Sequence, residues 1–483
     1  SVCPTGALTP KSDVDEVWKV LDDPDVRVVV QTAPAVRVGL GEYFGMPAGS
    51  VTTGSMVAAL KALGFDRVFD TSFTADMTVL EESEEFLARF RNGERLPQFT
   101  SCCPSWVKFA EQYYPECLPN LSSCKSPQQM FGSLARNILP AELGISPERL
   151  VVVSVMPCTA KKFEARQDKF SRDGRPDVDY VITTQELGRM IEQATIDFFS
   201  LEPESFDMPM GFKTGAGVLF GVSGGVTEAV LRYAVEKLQG KPLDYVDFTE
   251  VRGEEGIREA TIEVDGVTLR LAVVQGLANV KKIAESIKNG SCSYHLIEVM
   301  ACPGGCVSGA GQPVSPNSSV RRARTRAIYH DDKAMQIHKA QENPALQKCY
   351  ATHLGHVGSH TAHELLHTRY QNRRRMADEN LYLIQGKAAA KVAVRVCVGT
   401  SCFLKGSQQI LKDLMAYAES DGLQDRIDLA ATFCFERCGE SPNVRVGETL
   451  LSGCTFEKVR DALLSQLEPS PVAREAQNGN KHP

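Results

Sequence analysis

Fifteen cysteines stand in this 483-residue chain, and most of the chemistry it could do begins with how they group. Cys102–Cys103, Cys302/Cys306, Cys397/Cys402 and Cys434/Cys438 come in close sets. Disulfide frameworks mark small secreted domains, so grouped cysteines in a chain of this length point to metal binding or redox chemistry. Three segments carry the first candidate centre: Thr100-Ser101-Cys102-Cys103-Pro104-Ser105-Trp106, Met156-Pro157-Cys158-Thr159-Ala160-Lys161-Lys162-Phe163-Glu164, and Glu298-Val299-Met300-Ala301-Cys302-Pro303-Gly304-Gly305-Cys306. They offer four or five thiols, and a cubane 4Fe–4S cluster needs four thiolates. The Gly304-Gly305 pair would let backbone approach a bulky group closely. Zinc is the alternative, but its sites favour paired Cys-x-x-Cys knuckles, and here only Cys302 and Cys306 pair, at Cys-x3-Cys spacing. Adjacent residues of an extended chain point opposite ways, so Cys102 and Cys103 are expected to do different jobs.

A second quartet, Cys397-x4-Cys402 and Cys434-x3-Cys438, suits an iron–sulfur or a zinc site. Cys117, Cys124, Cys292, Cys349 and Cys454 read as spare core thiols. Cys3-Pro4 has the form in which a bacterial ferredoxin cluster motif ends, so residues 1–12 read as the remnant of such a domain. Glu82, Glu85 and Arg89 share one face of a helix expected over Met77–Phe90. On their own they read as a solvated, salt-bridged face. Lys161 on its own reads as a surface lysine.

The elements that must hold these residues follow an α/β rhythm. Arg27–Thr32, Arg67–Asp70, Val151–Val155 and His295–Met300 read as strands, and Thr53–Leu63 as a helix stopped by Gly64. Alternating strands and helices imply mainly parallel sheets. The cysteines follow the ends of strands, where open α/β sheets place their ligands, so distant strands could deliver thiols to one place. Residues 318–375 are polar and mostly helical, 391–465 form a small separate α/β module, and 466–483 read as a disordered tail. A net charge of −7 without a long basic run argues against nucleic-acid binding. No apolar run of about 18 residues predicts a transmembrane helix, and no secretory leader is visible, so a cytoplasmic location is expected.

Taken together, the three cysteine segments closely resemble the signature motifs of the iron-only (FeFe) hydrogenases. Gln31–Arg37 (QTAPAVR), Asp70–Asp76 (DTSFTAD), Lys125–Gln129 (KSPQQ) and Ala362–His367 (AHELLH) extend the likeness over roughly residues 13–375. The resemblance implies a two-lobed α/β core of mainly parallel sheets around a central iron–sulfur site. It also implies an H-cluster, in which a cubane is joined through one cysteine sulfur to a two-iron subsite with CO, cyanide and a bridging dithiolate amine. Cys103, Cys158, Cys302 and Cys306 then bind the cubane, with Cys306 bridging to the two-iron unit. Cys102 becomes a proton carrier rather than a ligand, and Glu82, Glu85 and Ser122 a proton path with Arg89 at its outer end. Lys161 is expected to face a cyanide ligand. Ala33, Pro34, Ala35, Pro127, Gln128, Met156, Pro157, Phe220, Gly221 and Met300 line the pocket. Ser105, Pro303 and Ala310 depart from common family residues without removing a ligand.

The C-terminal quartet, by the same kind of likeness, resembles a thioredoxin-like 2Fe–2S ferredoxin. The implied domains are 13–316 for the catalytic core, 317–387 for a helical wrapping segment, 388–465 for the 2Fe–2S domain and 466–483 for the tail. The implied activity is reversible conversion of protons and electrons to H2. The implied partners are electron-transfer subunits (a ferredoxin, or a flavin- or NAD(P)-binding subunit) and maturation proteins. A slow sensory member of the family, or a non-catalytic hydrogenase-like assembly protein, is the alternative.

Overall fold

The computed structural model describes residues 9–315, 317–374, 391–424, 426–432, 435 and 437–467. Cys3, Cys434 and most of the expected tail lie outside these residues. The chain divides into two compact units, Ser1–Arg374 and Arg375–Pro483.

Among the described residues, the first unit is built on two four-stranded sheets, with a short ribbon of Ser171–Arg172 and Arg175–Pro176 besides. One is wholly parallel, with Arg67–Asp70, Arg27–Thr32, Leu150–Met156 and Tyr180–Thr183 side by side in that order. Its central strands are Val-rich runs buried on both faces, as a sheet covered by helices requires. The other sheet sets Gln98–Phe99, Leu296–Met300 and Val267–Gln275 parallel, and Ile257–Val264 closes its edge as an antiparallel hairpin partner. Between the expected and observed strands the bounds differ by a residue at most.

The long helix runs Thr71–Asn92, starting six residues before the Met77 expected from its apolar pattern. Asp70 caps it, its carboxylate accepting from the Ser72 N–H at 2.9 Å. Residues 71–83 are buried throughout, including the polar ones. Several of their hydroxyls find internal acceptors: Thr71 Oγ1 donates to Gln31 Oε1 at 2.9 Å, Thr74 Oγ1 to the Pro127 carbonyl at 2.8 Å, and Thr78 Oγ1 to that of Thr74 at 2.9 Å. The helix ends at Gly93 in the left-handed conformation, φ +66°.

Buried charges brace the segments that the motifs had marked. Arg37 donates to both carboxylate oxygens of Asp70 at 2.8 Å, neither side chain being exposed. Burial alone would raise Asp70, but Arg37 and then Lys213 hold it at about 2. Lys125 pairs with Asp177 at 2.8 Å. The polar stretch after residue 317 forms the helices Ser318–Ala334, Pro344–Cys349 and His360–Leu366.

The described residues of the second unit form one sheet. Ile427–Thr432 and Val392–Cys397 run parallel, and Val444–Val446 and Thr449–Leu451 continue it antiparallel. Helices Ser407–Ser420 and Phe456–Leu467 pack on it around Val394, Val396, Leu414 and Leu463.

Candidate metal centre

Three strands of the first unit end where its cysteines begin. Leu150–Met156 runs into Pro157-Cys158, and Leu296–Met300 into Ala301-Cys302. Gln98–Phe99, parallel to the latter strand, leads to Cys102-Cys103 and the helix Pro104–Tyr113. Cys102, Cys103, Cys158, Cys302 and Cys306 all line one cavity, whose empty volume including its mouth is about 760 Å³. Ala33, Pro34, Ala35, Pro127, Gln128, Met156, Pro157, Phe220, Gly221, Met300 and Lys161 line it too. Every residue expected at the pocket therefore reaches it, from segments up to about 270 residues apart.

The thiols fit a cationic metal core. Burial pushes the Cys158 thiol up to about 11 and that of Cys302 to about 12, with neighbouring thiols adding to both. It holds Cys306 well above the ordinary range in the same way. Grouped thiols this reluctant to ionise become thiolates together only beside a compensating cation, and iron–sulfur cores supply one. The loop that carries the last two thiols is pressed against its neighbour: Gly305 has φ +89°, and a Cβ there would lie 2.5 Å from the Ser223 nitrogen. No other residue type fits that place.

Supporting side chains fix the walls. Glu298 accepts from the Gly224 N–H at 2.6 Å and from the Thr227 N–H at 2.8 Å, tying the strand before Cys302 to the loop that follows Phe220 and Gly221. Gln275 Oε1 accepts from the Gly304 N–H, while its Nε2 donates to the carbonyls of Glu254 and Glu255 at 2.7 Å each. Gln312 Nε2 donates to the Ala35 carbonyl at 2.7 Å. Lys161 is buried, not a surface lysine; its Nζ donates to Glu164 Oε2 at 3.0 Å and to the Cys102 carbonyl at 3.1 Å. Burial would lower the Lys161 ammonium, but Glu164 outweighs it and keeps the charge in place.

Behind Cys102 lies a chain of polar groups. Burial first, then the charges of Glu82 and Cys103, raise the Cys102 thiol well above its ordinary value. Glu82 is wholly buried, and neither carboxyl oxygen has a hydrogen-bond partner among the described residues. Burial first, then the charge of Glu85, push it up to about 8; the weaker pull of nearby Ser122 and the Ser101 N–H opposes this. Ser122 Oγ donates to Glu85 Oε2 at 2.8 Å, and Arg89 donates to Glu85 Oε1 at 2.7 Å. Arg89 is itself held by the carbonyls of Asn120 and Leu121 at 3.1 and 2.9 Å.

In the second unit, Cys397 ends its strand and Cys402 sits in the helix Thr400–Leu404, both buried. Asn443 Nδ2 donates to Cys402 Sγ at 3.5 Å. Cys438 opens an exposed turn, and Cys434, the fourth of the quartet, lies outside the described residues. Burial raises Cys397, whereas donors from Ser441 and Asn443 outweigh burial and lower Cys402. One thiol already leaning to thiolate suits a metal-binding pair.

Glu298, Gln275, Gln312, Glu164 and Ser123 were not singled out by sequence. Glu164 and Glu298 do sit inside the marked motifs, and the i, i+3 spacing of Lys161 and Glu164 is the one signal that could have found a partner.

A family profile described as iron only hydrogenase large subunit, C-terminal domain, matches residues 26–310. One for the iron hydrogenase small subunit matches 318–373, and one for the thioredoxin-like 2Fe-2S ferredoxin matches 382–468. The chain is 47% identical over 383 residues to the NADP-reducing hydrogenase subunit HndD of Solidesulfovibrio fructosivorans, covering 78% of this chain and 65% of that one. It is 44% identical over 373 residues to iron hydrogenase 1 of Clostridium pasteurianum, covering 76% and 65%. It thus spans just under two thirds of the length of these relatives. A solved FeFe-hydrogenase HydA1 variant from Chlamydomonas reinhardtii superposes with a TM-score of 0.68 at 40% identity, covering 75% of this chain and 99% of that one.

Proposed function

The chain belongs to the iron-only hydrogenase family, and on that premise we propose that it catalyses the reversible reduction of two protons to H2. The observation that carries this is the meeting of five thiols, an apolar cavity and a buried carboxyl chain leading away from Cys102. The family's cofactor is the H-cluster, and the C-terminal domain is of a 2Fe–2S type. In this reading Cys103, Cys158, Cys302 and Cys306 would hold the cubane, and Cys306 would also help to hold the two-iron unit. Cys397, Cys402, Cys434 and Cys438 hold the 2Fe–2S cluster. When bound, the H-cluster supplies the iron at which H2 is made or split and the electrons it takes or gives.

The chain's own residues supply protons, orientation and dryness. Cys102 keeps its proton because burial disfavours the thiolate, so its Sγ can give one inward and be refilled from behind. Glu82, at about 8, is mostly protonated at neutral pH yet gives its proton up within reach of that pH, the condition for a relay. Ser122 Oγ bridges towards Glu85, and Arg89 keeps Glu85 aimed at it. Lys161, charged and buried on the cavity wall, offers an ammonium donor to an anionic ligand. The lining of Pro34, Met156, Phe220 and Met300 keeps water off an unstable cofactor.

In this reading the catalytic core is 13–316 and 388–465 forms the electron-relay domain; the helical segment expected over 317–387 is described only as far as residue 374. The name of the NADP-reducing relative and the small-subunit match support electron-transfer partner subunits, one of them nicotinamide-linked. That linkage supports a cytoplasmic location, and in this reading separate maturation proteins would load the two-iron unit. No helix among the described residues is long and apolar enough to cross a membrane. The deciding experiment is H2 evolution from a chemical reductant after the protein has been loaded with the two-iron cofactor. Background activity at full cubane occupancy would sink the reading.

A further inference from the structure

The proton path above stops at Glu85 and Arg89, and Arg89 cannot finish it. A guanidinium stays protonated throughout the working range of an enzyme and has no acceptor site. Arg89 can hold Glu85, but a proton exchanged with Glu85 must come from elsewhere.

The neighbour that can supply it is on the other side of the carboxylate. Ser123 Oγ donates to Glu85 Oε1 at 3.1 Å, and the same oxygen lies 2.8 Å from His367 Nδ1. His367 Nε2 lies 3.2 Å from Glu81 Oε2, and Tyr350 donates to Glu81 Oε1 at 2.7 Å. Glu81, Glu85, Ser123 and His367 all line a second cavity, open to solvent, whose empty volume is about 1280 Å³. Imidazole is the side chain that changes charge near neutral pH, and its two nitrogens can take a proton on one side and give it on the other.

We propose that His367 is the residue that exchanges protons between the solvent cavity and Glu85, through Ser123 Oγ. This rests on the reading of Cys102, Glu82, Ser122 and Glu85 as the inner path. The imidazolium donates from Nδ1 to Ser123 Oγ while Ser123 passes its own proton to Glu85, so one proton moves inward and neutral His367 remains. The cavity then recharges the ring; during H2 oxidation the same steps run outward. No electron is transferred and no bond other than O–H and N–H changes.

The charged groups around the ring are Glu81, Glu85 and Arg89 from the long helix and Arg369 from its own segment; His363, held below the ordinary imidazole range by burial and by His367 itself, stacks on it at 4.6 Å. Tyr350, Tyr370 and Cys124 are the neutral titratable neighbours. Glu85, Cys124 and His367 also bring ligand atoms within 4.8 Å of one another. A cation there is disfavoured, because the Arg89 guanidinium already occupies the position beside Glu85 and both ring nitrogens have partners.

The test uses His367→Gln and His367→Ala in the full, cofactor-loaded enzyme, with H2 evolution and oxidation followed from about pH 5 to 9. Iron content and the infrared bands of the two-iron unit monitor integrity. The expected result is a loss of about tenfold or more in kcat at unchanged iron content, with a changed pH profile. Added imidazole should restore much of the rate in His367→Ala, since the cavity is open. An unchanged kcat and pH profile in both variants would overturn the proposal, as would a slow enzyme with the parent's pH profile and no rescue. If either variant loads iron poorly, Ser123→Ala breaks the same link, and full turnover in it would equally overturn the proposal. Glu82→Gln separates the two readings. A slow Glu82→Gln beside unaffected His367 variants refutes the outer exchange alone, whereas full turnover in Glu82→Gln refutes the inner path and this proposal with it.

Discussion

If Glu82 relays protons as proposed, it sets stability against turnover, and Glu82→Gln should expose both. Its carboxyl moves from 4.5 to about 8 on folding. Between those values the unfolded chain has released the proton and the folded chain still holds it. Stability is then fully present below about pH 4.5 and is lost as pH rises through about 8. The loss is about 1.4 kcal/mol per pH unit, or about 5 kcal/mol over the whole window. Gln copies the neutral acid and does not titrate, so the variant should lose that slope. Its amide N–H groups meet the same partnerless surroundings as the Glu82 oxygens, at a cost of about 1–3 kcal/mol that does not depend on pH. Denaturant unfolding of the cofactor-free chain, repeated from about pH 5 to 8, should show the variant gaining about 1.4 kcal/mol on the parent per unit. In the loaded enzyme the same change should cut kcat by about a hundredfold or more, because a relay group has gone. Parallel stability profiles for variant and parent would refute the raised carboxyl. Turnover within about threefold of the parent would refute its place in the relay.

Three further outcomes follow. Cys102→Ala should keep its iron, since this thiol is not assigned to the cubane, yet lose about a hundredfold or more in H2 turnover; iron analysis beside a gas assay checks both. Arg37→Met should leave the buried Asp70 with Lys213 alone and cost about 3–5 kcal/mol by denaturant unfolding. Asp70 is lowered from 3.8 to about 2, so its contribution is present above pH 3.8 and is lost as pH falls through about 2; the variant should shed stability at a higher pH than the parent during acid unfolding. Cys402→Ala should abolish the 2Fe–2S electron paramagnetic resonance signal while leaving H2 evolution from a small chemical reductant intact, and loss of both would contradict two separable units.

What the sequence carried plainly was whatever depends on local order. Strands such as Arg27–Thr32 are short β-branched runs, and cysteines just beyond such runs fall at sheet ends whatever else the chain does. The beginning of the long helix was hidden, because the polar Thr71, Ser72 and Thr74 precede the stretch from Met77 that reads as helix. Only the tertiary partners, Gln31 for Thr71, Arg37 for Ser72 and the Pro127 carbonyl for Thr74, show why those hydroxyls are content inside the protein. Glu82 and Glu85 illustrate the sharper limit. Their spacing puts them on one face of a helix but cannot say whether that face meets water, and the answer depends on segments far along the chain. Ser122 closes on Glu85 from 37 residues away, and His367 reaches Ser123 across 244. A carboxylate on a wet helix face stays ionised near pH 7 and makes a poor proton donor; the same residue walled in by tertiary packing holds its proton until about pH 8. The relay role proposed for this face thus depends on the fold's long-range closure. That is why changes at Ser123 or His367, neither of which lines the cysteine cavity, should register as changes in turnover rather than in stability.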